Sequence, residues 1–123
     1  MSITDIETRQ DRLPAPPLTR FRMYAIAFDL VIEDLRTHYD RVAPHRAYAE
    51  VRAVLESEGF RWQQGSVYFG DPEHVNAISC VLTAQRLTRD LPWFSKCVRD
   101  VRMLRIEENN DLGVVVEAAA NSS

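Results

Sequence analysis

The chain has 123 residues, 46% of them hydrophobic, enough for the core of one domain but not of two. Its formal charge of −3 excludes a broad electrostatic grip on nucleic acid, so any RNA or DNA contact must come from a local positive cluster. No stretch approaches the roughly 20 apolar residues of a membrane span, and the polar N-terminus lacks the apolar segment of a secretion signal. A soluble, cytoplasmic protein with no membrane partner is expected.

Residues 1–22 read as a flexible N-terminal extension, because Pro14, Pro16 and Pro17 cannot continue a helix or a central strand. The ordered pattern starts at Met23, which is also a candidate alternative start. Residues 23–110 then read as one folded domain. The run Met23–Ile32 is the most apolar of the chain and has the length of a strand buried on both faces. Tyr24, Ile26 and Phe28 share its bulky side; Ala25, Ala27 and Asp29 share the other. A carboxylate in such a run is costly to bury unpaired. Asp29 is therefore paired, protonated or working at an open strand end.

Glu33–Arg41 reads as a polar connector. Pro44 suits a helix start and Gly59 a residue past the last turn. Between them Ala47, Val51, Val54 and Leu55 have helical spacing, so residues 44–58 form an amphipathic helix. Phe60–Gln63 and Ser66–Phe69 form two strands of a hairpin through Gln64-Gly65, where glycine permits positive φ. Asp71-Pro72 is expected to open a second helix whose buried face is Val75, Ile78, Val81, Leu82 and Gln85. Trp93–Lys96 is ambiguous between a helical turn and a loop. Val101–Ile106 is the last strand, with an alternation irregular enough for a bulge. Residues 111–123 form a tail whose Val114-Val115-Val116 suits an edge strand or a short helix at a dimer seam.

The order β-α-β-β-α-β defines an α+β, ferredoxin-like fold: a four-stranded antiparallel sheet with two helices on one face. The opposite face has no helix, yet the first strand is apolar on both sides. A homodimer through that face is expected. Cys80 and Cys97 lie in apolar surroundings without CxxC or zinc-type spacing, so two reduced, mostly buried thiols are expected.

Three stretches carry a resemblance: Tyr24–Leu30, Gln64–Tyr68, and Val98–Arg102 followed by Arg105-Ile106-Glu107. In this order they resemble virulence-associated protein D, a bacterial family of small ribonuclease toxins. The resemblance spans roughly Met23 to Asp111, leaving the extension outside the family pattern. That family is similar in fold to the small CRISPR-associated endonucleases of spacer acquisition, which share a first-strand aspartate and a Ser-Val pair on a middle strand. The resemblance implies a homodimeric endoribonuclease, often the toxin of a toxin–antitoxin pair with a cognate antitoxin protein as partner.

Asp29 is the leading catalytic candidate, as a carboxylate that orients a ribose 2′-hydroxyl or holds Mg2+; the competing reading is a strand-end aspartate bonded to backbone N–H groups. The cofactor expectation is accordingly none or Mg2+. Ser66, matched in the family pattern, is the second catalytic candidate, and Gln64 could reach a phosphate; as residue types alone, both are ordinary turn chemistry. Arg99, Arg102 and Arg105 are the one dense positive cluster of the folded region, as RNA contacts or as ion-pair partners of Asp100, Glu107 and Glu108. As a strand, Arg99 and Arg105 would share a face opposite Arg102. Tyr68, with Tyr24 and Trp62, could stack a base, against a core or interface role. His38, His45 and His74 fall in no matched motif. The reading from another class is a non-catalytic homodimeric module that binds RNA or protein through the same sheet.

Overall fold

A computed structural model describes residues 22–122. The expected N-terminal extension lies outside the described residues, save Arg22. The elements are β1 (Met23–Leu30), α1 (Ile32–His38), a 3-10 turn (Pro44–Arg46), α2 (Ala47–Ser57), β2 (Phe60–Gln64), β3 (Val67–Gly70), α3 (Ala77–Asp90), α4 (Phe94–Cys97), β4 (Val98–Ile106) and α5 (Gly113–Asn121). Through Ile106 they form one compact unit, and the segment from Glu107 belongs to a second.

The four strands run in the order β2-β3-β1-β4, every neighbouring pair antiparallel. This is the ferredoxin-like order, which makes the first strand central and gives it hydrogen-bonding partners on both edges. Ile26, Phe28 and Leu30 enter the core with Val51 and Leu55 of α2, Leu87 of α3, Phe60 and Phe94. Leu55, Leu87 and Val51 are fully buried and Phe60 is 1% exposed. On the opposite face the register sets Ala25 between Phe69 and Leu104, and Ala27 between Val67 and Arg102. Residues directly opposite on adjacent strands share a face, so a mostly apolar row crosses the sheet there.

Gly65 takes φ +52° in the β2–β3 turn, and Gly59 takes φ +95° where α2 ends. Both lie in the left-handed region that glycine enters without steric cost. The hairpin strands start and stop within a residue of their expected bounds. α2 begins behind the 3-10 turn that Pro44 opens.

Three expectations need correction. The polar connector is in part a helix: Ile32–His38 is α1, anchored by the fully buried Leu35. One buried side chain in two turns leaves no periodicity to detect. The second helix starts later than Asp71-Pro72. Asp71 instead closes its own turn, accepting from Glu73 N at 3.1 Å and engaging His74. Asn76 caps α3, accepting from Ser79 N at 2.9 Å, while Ser79 Oγ accepts from Asn76 N at 3.2 Å.

The buried face of α3 is also different. Val75 precedes the helix, and Cys80, Thr83 and Leu87 face the core, whereas Ile78, Val81 and Leu82 are exposed. Small Cys80 and Thr83 let the helix approach the sheet closely, so size outranked hydropathy. The ambiguous segment near Trp93 holds the short helix α4. In the second unit α5 is helical, opened where Asp111 Oδ1 accepts from Gly113 N at 2.8 Å.

Urea unfolding checks these assignments. Phe60→Ala should cost about 3–5 kcal/mol through lost burial and the cavity left behind, and Asn76→Ala about 1 kcal/mol through the lost cap. Ile78→Ser should change stability by no more than about 0.5 kcal/mol; a loss several times larger would mean that the expected face of α3 is the buried one after all.

Candidate functional site

Chemistry-bearing side chains gather where β1 ends. Asp29 of β1 is the register partner of Asp100 of β4. Two carboxylates directly opposite on one face repel, and each is answered by an arginine. Arg99 donates through Nε to Asp29 Oδ2 at 3.0 Å, and its Nη2 donates to the same oxygen. Arg102 Nε donates to Asp100 Oδ2 at 2.9 Å and Oδ1 at 3.2 Å. The register shifts between Asp29 and Leu30, whose partners are Asp100 and Val98. Arg99 is therefore the extra residue of a bulge, a device that re-aims a side chain. Here it turns a guanidinium onto Asp29.

The question posed by a carboxylate in an apolar run is thus answered: Asp29 is paired, at a strand end, with 48% of its side chain exposed. Arg99 is more open, at 69%. Its pKa is raised above the ordinary arginine value by the hydrogen bond and then the charge of Asp29, so it stays cationic. Exposed pairs of this kind contribute little to stability, because solvent screens them. An incoming anion can exchange with the carboxylate at small cost.

Ser66 borders the same end of β1. Its carbonyl accepts from Phe28 N at 3.1 Å, which extends the β1–β3 ladder into the turn and sets Ser66 beside the residue preceding Asp29. Gln64 is exposed at the end of β2, paired with Val67. Arg102 pairs in register with Ala27 and Arg105 with Tyr24, so these two exposed arginines lie on opposite faces of the sheet. Tyr68 is 3% exposed, its ring stacked on Phe28 with centroids 6.0 Å apart, and it offers no face to a base. Half-exposed Trp62 lies beneath Arg52, 4.5 Å from its ring centroid, and donates Nε1 to Gly65 O at 2.8 Å. Tyr24 packs against the core. His38 ends α1, His45 lies in the 3-10 turn, and His74 is committed to Asp71.

Two residues gain weight from the structure. Asp100 was legible only as an ion-pair partner, and the register sets it opposite Asp29. Tyr48, near the start of α2, carries no signal in the sequence; it stacks on Phe28 with centroids 6.3 Å apart, and burial, then the charge of Asp29, raises its pKa. No spacing in the sequence links it to Asp29, because only the packing of α2 on β1 brings them together.

Among the described residues no group of three or more His, Cys, Asp or Glu is arranged to hold a metal ion. One chain offers Asp29 and Asp100 here, each engaged by an arginine. That donor set does not fit Mg2+, which takes near-octahedral oxygen coordination. Cys80 and Cys97 are free and buried, with thiol pKa values pushed up chiefly by burial.

A four-stranded ferredoxin-like sheet carrying a half-exposed aspartate at the end of its first strand defines a class, and the CRISPR associated protein Cas2 family matches residues 22–112. Within that class the similarity is to proteins named for one activity. "Endoribonuclease VapD 2" of Riemerella anatipestifer is 51% identical over 90 residues, covering 73% of this chain and 95% of the relative. A Helicobacter pylori "Endoribonuclease VapD homolog" is 51% identical over 90 residues, covering 73% and 92%. "Endoribonuclease VapD" of Dichelobacter nodosus is 39% identical over 98 residues, covering 79% and 100%. The chain belongs to the VapD family.

The Asp71–His74 pair yields a pH prediction. Its hydrogen bond to Asp71 and that carboxylate's charge raise the His74 pKa above the ordinary 6.5, and the same hydrogen bond lowers that of Asp71. The histidine's contribution to stability is complete below its unfolded pKa and lost as pH rises through its folded one. The aspartate's is complete above its unfolded pKa and lost as pH falls through its folded one. An NMR titration should place His74 above 6.5 and return it towards that value in Asp71→Asn. An identical midpoint in the two proteins would contradict the pair.

Proposed function

We infer that this chain is an endoribonuclease cleaving RNA phosphodiester bonds, with Asp29 at its reacting centre. The observation that carries the reading is the exposed Asp29–Arg99 pair at the end of β1; the printed names of the relatives support the same activity. A carboxylate beside a cation matches what RNA transesterification demands. When RNA enters, its phosphate takes over the Arg99 guanidinium and frees Asp29 to accept the ribose 2′-hydroxyl proton. O2′ then forms a bond to the adjacent phosphorus, the P–O5′ bond breaks, and O5′ takes a proton from a water that is in turn reprotonated by Asp29. The products are a 2′,3′-cyclic phosphate and a 5′-hydroxyl. Ser66 assists from the turn beside β1. Gln64, Arg102 and Arg105 supply outlying contacts to the backbone, whereas buried Tyr68 takes no part.

A second copy of the chain completes the working protein in this reading. The row Phe69–Ala25–Leu104 crosses the face of the sheet opposite Ile26 and Phe28, with Met23 and Ile106 paired at its edge. Leu104 is 39% exposed there. Such an apolar face supports a homodimer. The finer role we assign is the toxin of a toxin–antitoxin pair, with a cognate antitoxin as protein partner.

Labelled RNA incubated with wild type and Asp29→Asn, with Mg2+ and with EDTA, tests the activity. The substitution should lower the cleavage rate at least about 100-fold, the scale of a lost general base, without lowering the unfolding midpoint. Equal cleavage by both proteins would remove Asp29 from the reaction. RNA retained uncut by wild type would favour the binding module.

A further inference from the structure

The β2–β3 hairpin carries a charge opposite to that of the chain as a whole. From Phe60 to Gly70 it holds Arg61 and no aspartate or glutamate, in a protein of formal charge −3. Arg61, Trp62, Gln63 and Gln64 are all exposed, on a strand that forms one edge of the sheet. A cation, an aromatic ring and two amides, with no carboxylate among them, make a surface that an anionic chain can approach.

Trp62 is 47% exposed, whereas Trp93 is 9% exposed and belongs to the core. The exposed ring is nonetheless fixed. Its Nε1 donates to Gly65 O at 2.8 Å, which satisfies the one polar atom of the indole, and the Arg52 guanidinium lies over the ring, 4.5 Å from its centroid. Even with Arg52 upon it, nearly half of the residue stays open to solvent. The ion pair of Arg52 with Glu56 is long, at 3.7 Å, so the cation is only loosely matched. A rigid indole with its N–H satisfied and an arginine beside it suits the stacking of a nucleic-acid base, a contact that every base can make.

The position of Trp62 fits the reading above. Trp62 pairs in register with Tyr68, and Tyr68 with Ile26, so Trp62 lies on the opposite face of the sheet from Asp29 and the row Phe69–Ala25–Leu104. A second copy seated on that row would leave Trp62 free. The connection to Asp29 runs through the hairpin turn. Gly65, which accepts from the indole, precedes Ser66, and Ser66 O accepts at 3.1 Å from the N–H of Phe28, the residue before Asp29. The register shifts at Asp29/Leu30 and at Trp62/Gln64 both lie at this end of the sheet, and bulges re-aim side chains. Two strand spacings, about 10 Å, separate β2 from β1. An RNA strand whose phosphate meets Asp29 and Arg99 can cross the turn at the end of the sheet and bring a flanking base to Trp62.

We propose that the Trp62 indole, backed by Arg52, is the stacking platform for an unpaired base that flanks the phosphodiester engaged by Asp29 and Arg99. The proposal rests on the endoribonuclease reading above. It moves no proton and breaks no bond: Trp62 holds single-stranded RNA in the register that carries a phosphate to Asp29. Bases paired in a duplex have their faces stacked already, so the platform selects single strands.

Tryptophan fluorescence of the full chain carrying Asp29→Asn, which should bind without cutting, reads the stack directly. A single-stranded oligoribonucleotide should quench the emission in step with binding followed separately by filter retention, and an RNA duplex should quench far less. Trp62→Phe in the same background should lose the quench, since Trp93 is buried. Trp62→Ala should weaken RNA binding at least about fivefold, the low end of what one stacked base contributes, and raise KM accordingly. An abasic nucleotide moved along the RNA should weaken binding to wild type at one position beside the cut, and cost Trp62→Ala nothing there. RNA retained without a quench would overturn the platform and leave the site reading standing, and this result needs no change at residue 62. The same abasic profile in wild type and Trp62→Ala would overturn it equally. RNA left intact by wild type would overturn the endoribonuclease reading, and the flanking register with it.

Discussion

β1 is hydrogen-bonded along both edges, to β3 and to β4, and buries one face against helices. A strand so enclosed has few places to carry a charge. Its interior positions must be apolar, and the first position where a carboxylate can meet solvent is near its end. Asp29 occupies that position, one residue before Leu30 closes the strand. The same pairing that makes β1 rigid fixes Asp29 in space, flanked in chain order by Phe28 and Leu30, both core residues. Sites built on strands anchored in this way hold their geometry better than sites on loops.

The charges at that end form a graded set. Asp29 and Asp100 face each other across the strands, and their repulsion is offset by Arg99 and Arg102, all four partly exposed. None of these pairs contributes much to folding stability, since solvent screens them. That weakness suits the proposed binding role, in which an arriving phosphate competes with Asp29 for Arg99 and frees the carboxylate. A buried pair of the same composition would cost several kcal/mol to open. Stability is lodged instead in the opposite layer, where Phe60, Leu55, Leu87 and Val51 are packed out of water.

Much of this was legible in the sequence, and the reasons differ by element. The apolar length of Met23–Leu30, the glycine at position 65 and the Ala47–Leu55 periodicity each express a local constraint, so strand, hairpin and helix could be read directly. The division of β1 into a bulky and a small face also carried over, as did Asp29 on the small side. What could not be read depends on distance. Leu35 is a single anchor, too little to mark α1. The hydropathy of α3 favours Ile78, Val81 and Leu82, but the sheet accepts the smaller Cys80 and Thr83, a choice set by the space available. Tyr68 has the residue type of a stacking platform, and its register with Ile26 turns it into the core. Arg99 could be placed in a positive cluster, while its union with Asp29 follows from a bulge that no local pattern specifies. Tyr48 and the pairing of Asp29 with Asp100 are likewise products of tertiary assembly.

In the proposed reaction Asp29 and Arg99 work as one unit on the same phosphodiester. A double-mutant cycle on RNA cleavage tests it, using Asp29→Asn, Arg99→Gln and the combination, with unfolding midpoints measured alongside. Residues that act together lose their effect together. Each single substitution should slow cleavage, and the double variant should be scarcely slower than Asp29→Asn alone. Losses that multiply, as for two independent sites, or an Arg99→Gln protein as fast as wild type, would contradict it.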